Sequence, residues 1–206
     1  WSSDVCSSDL IADKLTGTYK PHEYGEIILP LTVIRRFDCV LADTKEAVLA
    51  VYDREKAKGI KGRPLDQLLC RASGKAFYNV SKFTFETLLD DHANIEANFR
   101  DYINGFSENV RDIIEKFKFD AHITTMAQKN ILFNVLQEFN TPKADMHPDK
   151  ISNIEMGYIF EEIIRRFSES YNEDAGQHYT PREVIQLMVE ILLRYDEDIN
   201  IEKPTS

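Results

Sequence analysis

Apolar side chains recur at three- and four-residue steps along most of this chain, and that period restricts its fold more than any other feature. Across residues 27–41, Ile27, Ile28, Leu31, Ile34, Phe37 and Leu41 fall on one helical face. Ile95, Phe99, Tyr102 and Ile103 form a second stripe. Val110, Ile113, Ile114 and Phe117 form a third, and Ile131, Leu132, Val135, Leu136 and Phe139 a fourth. Each stripe must be buried against another, so the spacing predicts a packed helical bundle whose aromatic residues serve the core. A further helix is expected over residues 44–58, stopped by Gly59, with a loop at 59–64. Pro21 suits a first helical turn, whereas Pro30 lies inside its run and is expected to kink or break the helix. Residues 77–85 concentrate aromatic and β-branched side chains, which predicts a short strand or an irregular docking segment.

At residues 140–152 the period lapses, with two prolines in TPKADMHPDKIS. That stretch reads as a domain boundary, giving a helical N-terminal domain over 11–142 and the start of a second domain over 143–206. The second opens with helices at 153–167 and 181–195. Residues 1–10, WSSDVCSSDL, have no basic n-region and no apolar h-region, so they are not a targeting signal. They resemble the translation of a sequencing adapter, and are expected to be non-native and without order.

Charge and composition exclude several functions. No run approaches the roughly 18 apolar residues of a membrane span, so no membrane association is expected. The net charge is −10. Residues 1–10 contribute −2, residues 143–206 carry 7 bases against 14 acids, and the remainder carries 18 against 19. Phosphate binding rests on clustered Lys and Arg, so this chain alone is not expected to hold a nucleic acid. Cys6, Cys39 and Cys70 are odd in number and widely spaced, which indicates neither a disulfide framework nor a zinc site and suits the reducing cytoplasm. His22, His92, His122, His147 and His178 show no ligand spacing, and no metal is expected.

The polar connection before the last helix is the most informative piece. Thr180 is placed to cap a helix, Pro181 fits its first position, and Glu183 completes a capping box. Gly176 permits a close backbone approach, so residues 176–182 form a corner leading into free helical N–H groups. Such an N-terminus can hold a carboxylate or phosphate, or it can simply be a well-capped helix. Spacing alone leaves both open.

The wording of the segment goes further. Asn153-Ile154-Glu155-Met156-Gly157-Tyr158-Ile159-Phe160-Glu161-Glu162-Ile163-Ile164-Arg165-Arg166-Phe167, followed by Ala175-Gly176-Gln177-His178-Tyr179-Thr180-Pro181-Arg182-Glu183, resembles the modification subunit of type I restriction-modification systems. Ile28-Leu29-Pro30-Leu31-Thr32-Val33-Ile34-Arg35-Arg36-Phe37-Asp38, Phe77-Tyr78-Asn79 with Ser81-Lys82-Phe83, and Tyr102-Ile103-Asn104-Gly105-Phe106-Ser107 look like that family's helical N-terminal domain. The likeness runs in order from about Ala12 to Tyr195. It implies transfer of a methyl group from S-adenosylmethionine to the N6 of adenine in DNA, by a class I α/β methyltransferase domain whose first helices alone are present here. By that resemblance Gln177, His178, Tyr179, Thr180, Pro181 and Arg182 would contact S-adenosylmethionine. His178 departs from the aromatic residue often found at its position. The implied partners are DNA through the full complex, a specificity subunit, a second modification subunit and a restriction subunit.

Two family elements are missing from the sequence: the glycine-rich cofactor loop and the Asn-Pro-Pro-Phe-like tetrapeptide that would hold a flipped adenine. No catalytic residue is therefore assigned, and the chain by itself is expected to be an inactive fragment. The alternative is a non-catalytic helical interaction module for subunit assembly and DNA enclosure; a third possibility is an unrelated helical adaptor. Ser73-Gly74-Lys75 is no P-loop, since Leu69 and Ala76 stand where Gly and Ser or Thr are needed. Asn79-Val80-Ser81 matches a glycosylation acceptor by chance.

Overall fold

A computed structural model describes residues 8–168, 180 and 182–193. The chain divides into two compact units, Trp1–Ser170 and Tyr171–Ser206. The first unit contains α1 (Ser8–Leu15), α2 (Tyr24–Leu41), α3 (Lys45–Ala57), α4 (Arg63–Ser73), α5 (Ile95–Asn104), α6 (Glu108–Lys116), α7 (Asp120–Gln128), α8 (Leu132–Phe139) and α9 (Asn153–Ser168). The second contains α10 (Arg182–Leu193). No strand occurs among the described residues, so the fold is mainly α as the periodicity predicts.

α2 is the central helix, touching α1, α8 and α9. Its Ile27, Ile28, Leu31 and Ile34 are 0–1% exposed. Pro30 neither ends the helix nor divides it: α2 runs for 18 residues with Pro30 buried inside. An internal proline costs about 3 kcal/mol, but burying several large aliphatic side chains at about 1.5–3 kcal/mol each outweighs it. Phe85, Phe99, Tyr102, Phe119 and Phe139 complete the main core, with Phe85 edge-on to three of the others. A smaller core of Val48, Leu69 and Tyr78 joins α3 to α4.

Several elements differ from the sequence expectation. α1 begins at Ser8, so residues 8–10 are helical, because Ile11 and Leu15 bury completely and carry the preceding turn with them. Four helices rather than three occupy residues 95–139, the additional one being α7, which buries Ile123 and Met126. α4 follows the loop at once, with Pro64 in its first turn and Gly74 closing it at φ +64°. That left-handed cap is the structural role of the Ser73-Gly74-Lys75 tripeptide.

The segment at 77–85 is irregular, and it docks. The Val80 amide donates to the Gly105 carbonyl at 2.8 Å, and the Ser107 amide to the Tyr78 carbonyl at 3.0 Å. Asn79 is 2% exposed and donates its side-chain amide to the Tyr102 carbonyl at 3.0 Å, which is why an acceptor-like triplet stands here without being a surface site. The two short motifs around Asn79 and Gly105, remote in sequence, thus cross each other. Gly105 has an ordinary αR backbone, but a Cβ on it would lie 2.6 Å from the Ser81 amide nitrogen. The glycine is there for space.

Candidate functional site

The corner singled out from sequence falls largely outside the described residues: Gln177, His178, Tyr179 and Pro181 do so entirely, as does the side chain of Arg182. Thr180 is exposed and non-helical, and α10 starts at Arg182. The observed start lies within two residues of the one read from Thr180 and Glu183, which is the ordinary tolerance of a helix boundary. Within its own unit α10 exposes Val184, Ile185, Leu187, Met188, Val189 and Ile191. A helix so widely apolar is of the kind found inside a larger body.

α9 is held by its own cap and by the bundle. The Ser152 amide donates to Glu155 Oε2 at 2.7 Å and the Glu155 amide to Ser152 Oγ at 3.3 Å, a reciprocal capping box that the spacing Ser152-x-x-Glu155 displays in the sequence. These bonds hold the Glu155 carboxyl below its usual range. Met156, Ile159 and Ile163 recur at helical steps, are buried, and help α9 pack against α2. Arg36 of α2 fastens the preceding loop: its guanidinium donates to the Met146 carbonyl, to the Ile151 carbonyl at 2.9 Å and to Asn153 Oδ1 at 3.0 Å. The chain at 140–152 is therefore irregular but tied down, with Ala144, Met146 and Ile151 buried.

The first unit also carries a cleft of about 600 Å³ between α2, the start of α3, α5 and residues 140–150. Its walls hold a connected polar set. Asp38 Oδ2 accepts from Arg35 at 2.8 Å and Asp38 Oδ1 from the Tyr102 hydroxyl at 2.8 Å. Burial pushes the Tyr102 hydroxyl well up, with Asp38 adding to the shift. Lys45 Nζ donates to Asn79 Oδ1 at 3.0 Å and lies 5.8 Å from the centroid of the Tyr102 ring. Desolvation lowers the Lys45 ammonium to about 8, against the opposing pull of Asp38 and Asp101. Cys39, also in the wall, is raised by burial, and neither Cys39 nor Cys70 is in a disulfide. Apart from Tyr102, which its stripe assigns to the core, the sequence indicates no role for this set, although a cluster of charged residues on an otherwise apolar α2 is its signal.

Among the described residues no group of three or more His, Cys, Asp and Glu could hold a metal ion, and no helix is long and apolar enough to cross a membrane. Residues 9–139 match the family model of the HsdM N-terminal domain, and residues 152–205 match that of the N-6 DNA Methylase. No curated protein and no solved structure gives a significant match.

Proposed function

The chain belongs to the HsdM family, the modification subunits of type I restriction-modification systems, and from that premise we propose that it is the N-terminal portion of an enzyme that transfers the methyl group of S-adenosylmethionine to adenine N6 in DNA. It is a methyltransferase by family. The observation that carries the reading is the order of the two family matches on one chain, a helical N-terminal domain followed at once by a methylase domain. The reaction needs a cofactor pocket and a place for an extruded adenine. S-adenosylmethionine, when bound, supplies the methyl group. Gln177, His178, Tyr179, Thr180, Pro181 and Arg182 contribute one wall of its pocket, with the start of α10 offering hydroxyl and amide groups to the methionine carboxylate.

Packing supports this division of labour. α9 lies within the second family match yet is capped by Ser152 and bolted to α2 through Arg36, so the bundle sets the position from which the catalytic domain begins. The exposed apolar residues of α10 are those of a helix covered by a larger catalytic body. The partners are DNA, a specificity subunit that reads the target, a second modification subunit and a restriction subunit, in the cytoplasm. The isolated chain is inactive, because it contains neither the glycine-rich loop nor the Asn-Pro-Pro tetrapeptide.

Calorimetry tests the assignment. In a complete modification subunit carrying this chain, Thr180→Ala weakens S-adenosylmethionine binding while the fold survives; an unchanged Kd in the folded variant overturns the role of the corner. The isolated chain gives no measurable heat with the cofactor, and tight binding would overturn its inactivity. A purely non-catalytic module would leave the complete subunit's cofactor affinity and methylation unchanged by substitutions across residues 177–182.

A further inference from the structure

Lys45 stands apart from every other amine described in this chain. Its Nζ sits in the wall of the cleft and donates to two neutral oxygens of one residue, Asn79 Oδ1 at 3.0 Å and the Asn79 carbonyl at 3.5 Å. No carboxylate lies within ion-pairing distance of it, and it alone among the described lysines is not exposed. Asp38 and Asp101 act on it only from farther off, and both are engaged elsewhere: Asp38 by Arg35 and Tyr102, Asp101 by the Ser81 hydroxyl at 2.7 Å. Glu86, Asp145, His147 and Lys150 face the same cleft, where Asp145 is bonded to Lys150. The result is a half-buried ammonium with no counter-ion in contact, opening onto a space large enough for a small reagent.

We propose that Lys45 is an acyl-acceptor site, modified in preference to the chain's surface lysines by small activated acyl donors of the acyl phosphate class. The neutral amine attacks the acyl carbon and an N–C bond forms. The C–O bond to phosphorus breaks, inorganic phosphate departs with the electron pair, and the amine proton passes to solvent. The product amide keeps one N–H for Asn79 Oδ1 and carries no charge, so the site exchanges a poorly solvated cation for a neutral group. Its ammonium, lowered to about 8 by desolvation, supports the chemistry: at pH 7.5 about 200-fold more of it is neutral than of an ordinary lysine.

The test incubates the chain with acetyl phosphate between pH 6.5 and 10 and follows each lysine by peptide mass spectrometry. Lys45 is acetylated about tenfold or more faster at pH 7.5 than the exposed Lys61, Lys116 and Lys129, allowing for the lower intrinsic nucleophilicity of a less basic amine. Its rate levels off near pH 8 while theirs keep rising, and in urea the preference disappears. Asp101→Asn, which removes a charge favouring the ammonium, moves the break to lower pH. A Lys45 rate equal to or below that of the three surface lysines in the folded chain overturns the proposal, as does a preference that survives in urea.

Discussion

Gly105→Ala separates two physical effects that predict opposite signs. Gly105 closes α5 at φ −71° and ψ −14°, a conformation any residue adopts, so helix propensity alone favours alanine by about 0.5–1 kcal/mol. The structure says otherwise. A Cβ at this position would lie 2.6 Å from the Ser81 nitrogen, 2.7 Å from Ser81 Cβ and 2.8 Å from Asn79 Oδ1, all of them atoms of buried residues within the crossing. Relieving such overlap by moving the backbone costs about 1–3 kcal/mol. The same movement weakens the Val80–Gly105 and Ser107–Tyr78 hydrogen bonds, each contributing about 1 kcal/mol. After the propensity gain the net is a destabilisation of about 2–4 kcal/mol, or a Tm lower by about 4–16 °C for a chain of this size. Urea and thermal unfolding followed by circular dichroism measure it. Gly74→Ala is the control, since nothing lies within 4 Å of a Cβ there and only its φ of +64° is strained; its cost is about 1–2 kcal/mol. Equal or greater stability of Gly105→Ala would refute the account of the crossing.

Arg36→Lys keeps the charge but cannot fork between the Met146 and Ile151 carbonyls and Asn153, so it should cost about 1–3 kcal/mol. Hydrogen exchange should locate the loosening at residues 146–153; an unchanged exchange pattern there would contradict the clamp. Tyr102→Phe deletes the 2.8 Å bond to Asp38 and leaves a half-buried carboxylate with one partner fewer, lowering unfolding stability by about 1–2 kcal/mol. Lys45→Met tests the sign of the lysine shift. Its pKa of about 8 in the fold lies below the ordinary 10.5, so between those values the unfolded chain binds more protons and stability contributed by this group rises with pH. Below pH 8 the buried cation costs up to about 3 kcal/mol. Lys45→Met is therefore expected to be the more stable at pH 7, with an advantage that shrinks toward pH 10; a variant less stable at pH 7 would show that the Asn79 bonds outweigh desolvation.

What the sequence made legible follows from where a single local signal decided the outcome. The stripes of α2, α5, α6 and α8 are dense enough in large apolar residues to be read directly, and α3 ends one residue before the lysine that precedes Gly59. α7 escaped because Asp120–Gln128 offers only Ile123 and Met126 to the core among polar and small residues. α4 escaped because its buried face rests on Leu69, paired with Val48 of α3, a contact no window of sequence displays. Pro30 misled because local chain stiffness was weighed without the burial surrounding it on α2. At the candidate site, the helix start near Thr180 could be read from capping residues, whereas the cleft around Lys45 is assembled from four distant stretches. The Ser152 and Glu155 box is equally legible in the sequence from its three-residue spacing.

The proposed function makes this chain part of an adenine-N6 methyltransferase, with residues 177–182 in its cofactor pocket. The most direct measurement supplies S-adenosylmethionine labelled in its methyl group to the complete modification subunit with its specificity partner, then identifies the modified base in duplex DNA by mass spectrometry. The account predicts label on adenine N6, lost or strongly reduced with Thr180→Ala. Label on cytosine, or no transfer from a folded complex that binds the cofactor, would contradict it.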